Sequence, residues 1–212
     1  MNTTNAVIAE PPAPLPLPPG PYELRVSGLR TRRPDGEMLV LGDVDLPPGR
    51  RVALLGHSRA TASALAAVLL RFADYEGTVT LNDVPLRELA GEDVRRVIAR
   101  VGPDTPILPT GVAGNVRVAR PDATDEELAG AMRRAGLTPG DSASGAARPR
   151  VALARALLAD VPILLADEPE EGLAALLAAE DRSLLLVTHR AAVPGATPIL
   201  RHVDEVISLS VR

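Results

Sequence analysis

The hydrophobic pattern changes period repeatedly along the chain. Arg51–Leu55 (RVALL), Pro162–Ala166 and Ser183–Val187 are short, almost continuously apolar runs, the pattern of strands buried on both faces. Ala60–Phe72 and Arg150–Leu158 carry apolar residues at helical spacing, and another helix is expected between Ala166 and Ser183. Tyr22–Leu29 and Met38–Leu46 read as strands, closed by the turn Pro47-Pro48-Gly49. Thr78–Leu81 reads as a strand ending at Asn82-Asp83, Gly91–Val97 as a short helix, Ile98–Val101 as a strand and Val203–Leu209 as the last strand. Thr124–Ala135 opens with Thr124-Asp125-Glu126-Glu127, in which Thr124 and Glu127 have the spacing of a capping box. Strands alternating with helices predict an α/β domain around a mostly parallel, helix-covered sheet.

Residues 1–21 fall outside this pattern. Seven prolines lie between Pro11 and Pro21 (PPAPLPLPPGP). That composition predicts a polyproline II, disordered tail, usable as a spacer or as a docking segment for a partner. The domain then occupies 22–212. The apolar runs Ala62–Leu70 and Val161–Ala166 are far shorter than the roughly 20 residues a membrane span needs. The first residues lack the basic and apolar regions of a signal peptide, so a cytoplasmic location is expected.

Composition narrows the chemistry. The 23 basic residues are all arginine; lysine, glutamine, cysteine and tryptophan are absent. Schiff-base and lysine-base chemistry, thiolate nucleophiles and cysteine metal sites are therefore excluded within this chain. A net charge of −4 provides no global basic field for nucleic acid.

The strand Arg51–Leu55 runs into Gly56-His57-Ser58-Arg59-Ala60-Thr61-Ala62-Ser63 and then a helix. This is the context of a phosphate-binding loop, whose pattern is Gly-x-x-x-x-Gly-Lys-[Ser/Thr]. Gly56 and Ser63 match its ends; Thr61 and Ala62 stand at the glycine and lysine positions. Downstream, Ile163-Leu164-Leu165-Ala166-Asp167-Glu168-Pro169 is an apolar strand ending in two acids. In phosphoryl-transfer sites such acids hold Mg²⁺ and orient water. Ala143-Ser144-Gly145-Ala146-Ala147 precedes the helix leading to that strand, and Leu184–Val187 ends in Thr188-His189-Arg190.

Taken together, these motifs resemble the nucleotide-binding domain of ATP-binding cassette (ABC) transporters over about residues 22–212, most specifically in VALARALLADVPILLADEP. A fainter similarity points to heterodimeric bacterial exporters of the cysteine/glutathione type. The resemblance implies the ABC ATPase fold: a P-loop NTPase-type sheet flanked by helices, with antiparallel N-terminal strands. A shortened helical subdomain is expected over about 104–160. ATP and Mg²⁺ are the implied cofactors. Gly56, Ser58, Arg59, Ala62 and Ser63 are the implied loop positions. Ser63 and Asp167 are the implied metal ligands, Glu168 the catalytic base and His189 the switch histidine. Ser144 and Gly145 are what remains of the signature, offered to a nucleotide held by a second subunit.

Several of these positions depart from the family pattern. Arg33 stands where an aromatic residue stacks on adenine. A branched Thr61 tolerates the torsions of a loop glycine badly. Arg59 is cationic but sits three residues before the lysine position. Pro103 replaces the Q-loop glutamine, and Glu170-Glu171 put negative charge into the following loop. Losing the charge-assisted lysine contact costs about 1.5–3 kcal/mol, roughly a 10- to 100-fold loss of affinity. The expectation is a degenerate ATP-binding subunit that supports another ABC subunit or a transmembrane domain, at the inner face of the membrane through that partner. An active ATPase and a nucleotide-independent interaction module are the alternatives.

Overall fold

A computed structural model describes residues 8–33, 35–55, 59–138, 140–145, 147–188, 203–208 and 210–211. The first sheet is largely antiparallel. It contains β1 (Leu24–Arg32), β2 (Met38–Leu41), β3 (Val44–Leu46), β5 (Glu76–Leu81), β6 (Val84–Pro85) and β11 (Ser210–Val211). Their order is β11-β2-β1-β5-β6, with β3 also paired to β1. The second sheet contains β4 (Arg51–Leu55), β7 (Ile98–Val101), β8 (Ile163–Asp167), β9 (Ser183–Thr188) and β10 (Glu205–Ser208). Its order is β10-β4-β9-β8-β7, and every pairing in it is parallel. The ABC ATPase fold expected from the motifs is the fold observed.

The parallel sheet divides two apolar clusters. Val52, Leu54, Ile163, Leu165, Leu185 and Val187 join the cluster containing α1 (Arg59–Leu69) and the antiparallel sheet. The alternating residues Ala53, Leu164, Ala166, Leu184 and Leu186 join the helical cluster. That cluster draws on α3 (Gly111–Arg117), α4 (Asp125–Arg134), α5 (Ala147–Leu158) and α6 (Glu171–Ala178). Helix α2 (Gly91–Val97) precedes β7. Apolar runs with no polar alternation are what a sheet covered on both faces requires.

Most expected elements appear within a residue or three of their predicted ends. The Thr124 capping box forms completely, with Glu127 N–H donating to Thr124 Oγ1 and Thr124 N–H donating to Glu127 Oε2. Met38–Leu46 is not one strand: Gly42-Asp43 divides it into β2 and β3. Helix α3 was not anticipated, because its glycines (GVAGNVR) hide the helical period.

The proline-rich segment also differs from expectation. Leu15 N–H donates to Glu88 O at 2.7 Å, Leu17 packs against the first core, and Asn82 Nδ2 donates to the carbonyls of Pro19 and Pro21. Glu10 accepts from the backbone of Gly91. Residues 8–21 thus lie on the domain. Proline removes donors but not carbonyl acceptors, and the interleaved leucines supply apolar anchors. Residues 1–7 lie outside the described residues.

Candidate functional site

The candidate site lies at the carboxyl end of the parallel strands, where β4 leads toward α1 and β8 and β9 end side by side. Gly56, His57, Ser58 and His189 lie outside the described residues, as does the side chain of Arg59. Helix α1 already begins at Arg59, so Arg59, Ala60 and Thr61 are helical. Thr61 is fully buried and carries no left-handed torsion. The expected conflict between its branched side chain and a glycine conformation therefore does not arise. Ala62 is 1% exposed and belongs to the apolar core. Ser63 is half-buried on the same first turns.

Asp167 ends β8 and is 1% exposed. Strand register explains its neighbour. Arg100 on β7 lies opposite Leu165, and Val101 opposite Ala166. Side chains alternate faces along a strand, so Arg100 and Asp167, two residues further on, share a face. Arg100 Nη2 donates to Asp167 Oδ2, and the same guanidinium nitrogen lies 3.6 Å from Asp104 Oδ2. Asp167 Oδ1 is buried without a hydrogen-bond partner, as is Arg100 Nε. Gly102 makes room for the pair: a Cβ there would stand 3.2 Å from Asp167 Cβ and 3.4 Å from Arg100 Nε. A divalent cation on Asp167 would share the carboxylate with a guanidinium.

Glu168 follows with φ of 49°, a left-handed torsion that costs a non-glycine residue about 1–3 kcal/mol. Its N–H donates to Val187 O at 3.0 Å, which extends the β8–β9 ladder one residue past the strand. Thr188 Oγ1 donates to Glu168 Oε2 at 3.2 Å. Neighbouring strand tips thus hold Asp167, Glu168 and Thr188 together.

The other expected site residues sit apart from these acids or are occupied locally. Arg33, at the adenine-stacking position, is 6% exposed and pairs with Asp35 and with Glu37 at 2.9 Å. Ser144 and Gly145 are exposed just before α5; Ser144 Oγ lies 2.8 Å from Ser142 Oγ. Arg150 on α5 joins Glu170 Oε1 at 3.0 Å and donates to Gly136 O. It balances one of the acids that stood out in the loop after Pro169.

Beside Arg100 is an open cavity of about 660 Å³ whose lining includes Arg95, Arg96, Arg120, Arg155 and Asp104. Arg155 donates to Asn115 O, Pro106 O and Asn115 Oδ1. Burial lowers its pKa, because desolvation disfavours the charged form. Sequence reasoning missed both Arg100 and this cavity. The available signal was a lone arginine inside the short apolar strand IARV, directly before Gly102.

Comparison with known proteins agrees with this architecture. The ABC transporter family profile matches residues 42–171, and the chain belongs to that family. It is 32% identical over 203 residues to the mycobactin import ATP-binding/permease protein IrtA of Mycolicibacterium smegmatis, a match covering 84% of this chain and 23% of that protein. It is 34% identical over 199 residues to the glutathione/L-cysteine transport system ATP-binding/permease protein CydD of Escherichia coli, covering 80% and 34%. Its fold matches a bacterial Atm1-family ABC exporter with ATP bound, with a TM-score of 0.78 and 21% identity, over 96% of this chain and 40% of that one. The chain thus spans about a quarter to a third of the two curated relatives it matches here. Among the described residues no helix is long and apolar enough to cross a membrane.

Proposed function

We propose that this chain is a degenerate ATP-binding subunit that acts as a structural or regulatory partner of a competent ABC subunit. In this reading it works at the cytoplasmic face of a membrane, through a transmembrane partner. The observation that carries this is Ala62. At the position where the family places a phosphate-binding lysine, the side chain is a methyl group within the apolar core. A methyl group offers no charge-assisted contact to a phosphate. Arg33 supports the same reading, since its charge is spent on Asp35 and Glu37. The exposed Ser144 and Gly145 remain available to a second chain. MgATP titration by calorimetry should give no binding heat at millimolar nucleotide, and the chain should co-purify with an ABC subunit carrying an intact phosphate loop. Micromolar MgATP affinity would reject the reading.

A second reading, an active ATPase, draws on one observation: Asp167 and Glu168 are kept at the strand tips, with Glu168 held in a strained torsion. Strain of that kind concentrates at functional sites. Steady-state ATPase rates of the wild type and Glu168→Gln separate the two readings. Equal background rates would remove the ATPase.

A further inference from the structure

A carboxylate as buried as Asp167 needs a counter-charge, because removing an ion from water without one is costly. Here the chain supplies it. Strand register places Arg100 on the face of Asp167, and the missing side chain at Gly102 leaves the space for the guanidinium to reach Oδ2. The buried acid is then neutralised before any ligand arrives.

Mg²⁺ fits this arrangement poorly. It dehydrates reluctantly and keeps several waters in an octahedral shell, whereas the one oxygen of Asp167 that Arg100 leaves, Oδ1, is itself buried. A dication on that oxygen would also face the repulsion of a guanidinium bonded to the same carboxylate. Asp104, at 3.6 Å from Arg100, draws on the same positive charge from the exposed side; it supplies Asp167 with no cation of its own.

We infer that Arg100 is the resident counter-ion of Asp167 and closes this strand tip to divalent cations, so that the site is independent of Mg²⁺. This holds whether or not nucleotide binds, and so goes beyond the partner role proposed above.

The test uses the full chain with the metal alone. Wild-type protein should leave the electron paramagnetic resonance signal of Mn²⁺ unchanged, and its thermal midpoint should not move between EDTA and millimolar Mg²⁺. Arg100→Leu should gain Mn²⁺ binding and a Mg²⁺-dependent midpoint rise of about 3–5 °C. Adding Asp167→Asn should abolish both gains. Arg100→Lys keeps the positive charge and should remain blind to metal; Arg100→Gln, which removes the charge at similar length, takes the place of the leucine variant if that one fails to fold. Mn²⁺ binding by the wild type that Asp167→Asn removes would overturn the inference, and so would a folded Arg100→Leu that binds no metal. Nucleotide titrations keep this result apart from the functional reading. ATP binding equal in EDTA and Mg²⁺ would overturn the degenerate-subunit reading and support the inference. ATP binding that requires Mg²⁺ and Asp167 would overturn both.

Discussion

Among the described residues, two buried acids take an arginine partner, and they are satisfied to different degrees. Glu180, just past α6, is 6% exposed, and Arg134 on α4 engages both of its oxygens, Nε at 3.2 Å from Oε1 and Nη2 on Oε2. Asp167 is more deeply buried, yet Arg100 engages only one of its oxygens. The first pair is a closed, two-pronged bond that joins two helical elements, and it leaves no acceptor over. The second sits at the end of a strand, beside the start of α1, and leaves Oδ1 unpaired. Full satisfaction marks a group used for packing. An unpaired buried group calls for an explanation, and strain, a catalytic role or a bound water or ion are the ones available.

Removing Arg134 should give a large loss of stability and the simpler result. Arg134→Met strands a carboxylate that is nearly buried, at a cost of about 2–3 kcal/mol. Half-exposure of the arginine lets water reach part of the gap and keeps the loss below that of a fully enclosed pair. Chemical denaturation measures it. Mg²⁺ should restore none of the loss, in contrast to Arg100→Leu. A metal-dependent recovery in Arg134→Met would erase the distinction between the two pairs.

Glycine substitutions sharpen the same contrast. Gly102→Ala places a methyl 3.2 Å from Asp167 Cβ and 3.4 Å from Arg100 Nε, and should cost about 1–2 kcal/mol as the pair is pushed apart. Gly130→Ala, inside α4, meets nothing nearer than Arg133 Nη2 at 3.9 Å. It should stabilise the domain by about 0.5–1 kcal/mol, through helix propensity. Thermal midpoints moving in opposite directions are the expected result, and a neutral Gly102→Ala would show that the pair has slack.

Sequence patterns had revealed the scaffold and the acids, but not the arginine that joins them. The runs RVALL and ILLAD are buried at every central position, so periodicity alone locates the parallel sheet. Asp167 and Glu168 follow from a run of apolar residues ending abruptly in charge. Arg100 does not follow, because its partner is 67 residues away and the link depends on the register between β7 and β8. Residue spacing within one strand carries no information about that register. Thr61 went wrong for a related reason. Its fit was judged against a loop torsion, while the chain had already begun its helix at Arg59. The proline-rich segment shows the same limit: composition describes its backbone, and Leu15 and Leu17 decide where it lies.

A small and purely local loss is expected where a local motif explains everything. Thr124 and Glu127 cap α4 reciprocally, with no long-range partner required. Thr124→Ala should cost about 1 kcal/mol and leave both arginine pairs intact. The cap also carries a pH signature. The Glu127 carboxylate is held below its ordinary pKa, first by the backbone N–H of Thr124, then by the Thr124 hydroxyl and by Arg120. A lowered folded-state pKa stabilises the native state above the unfolded glutamate range and loses that contribution as pH falls through the folded value. The wild type and Thr124→Ala should therefore differ most near neutral pH. The difference should narrow, without vanishing, once the pH falls well below the ordinary glutamate value of about 4.3, because the bond from Glu127 N–H to Thr124 Oγ1 does not titrate. Denaturation curves at the two pH values test this, together with an NMR titration of Glu127, whose pKa should rise toward normal in the variant. If the stability difference were unchanged in acid, the hydroxyl of Thr124 alone would be carrying the cap, and Glu127 would be a bystander on the first turn of α4.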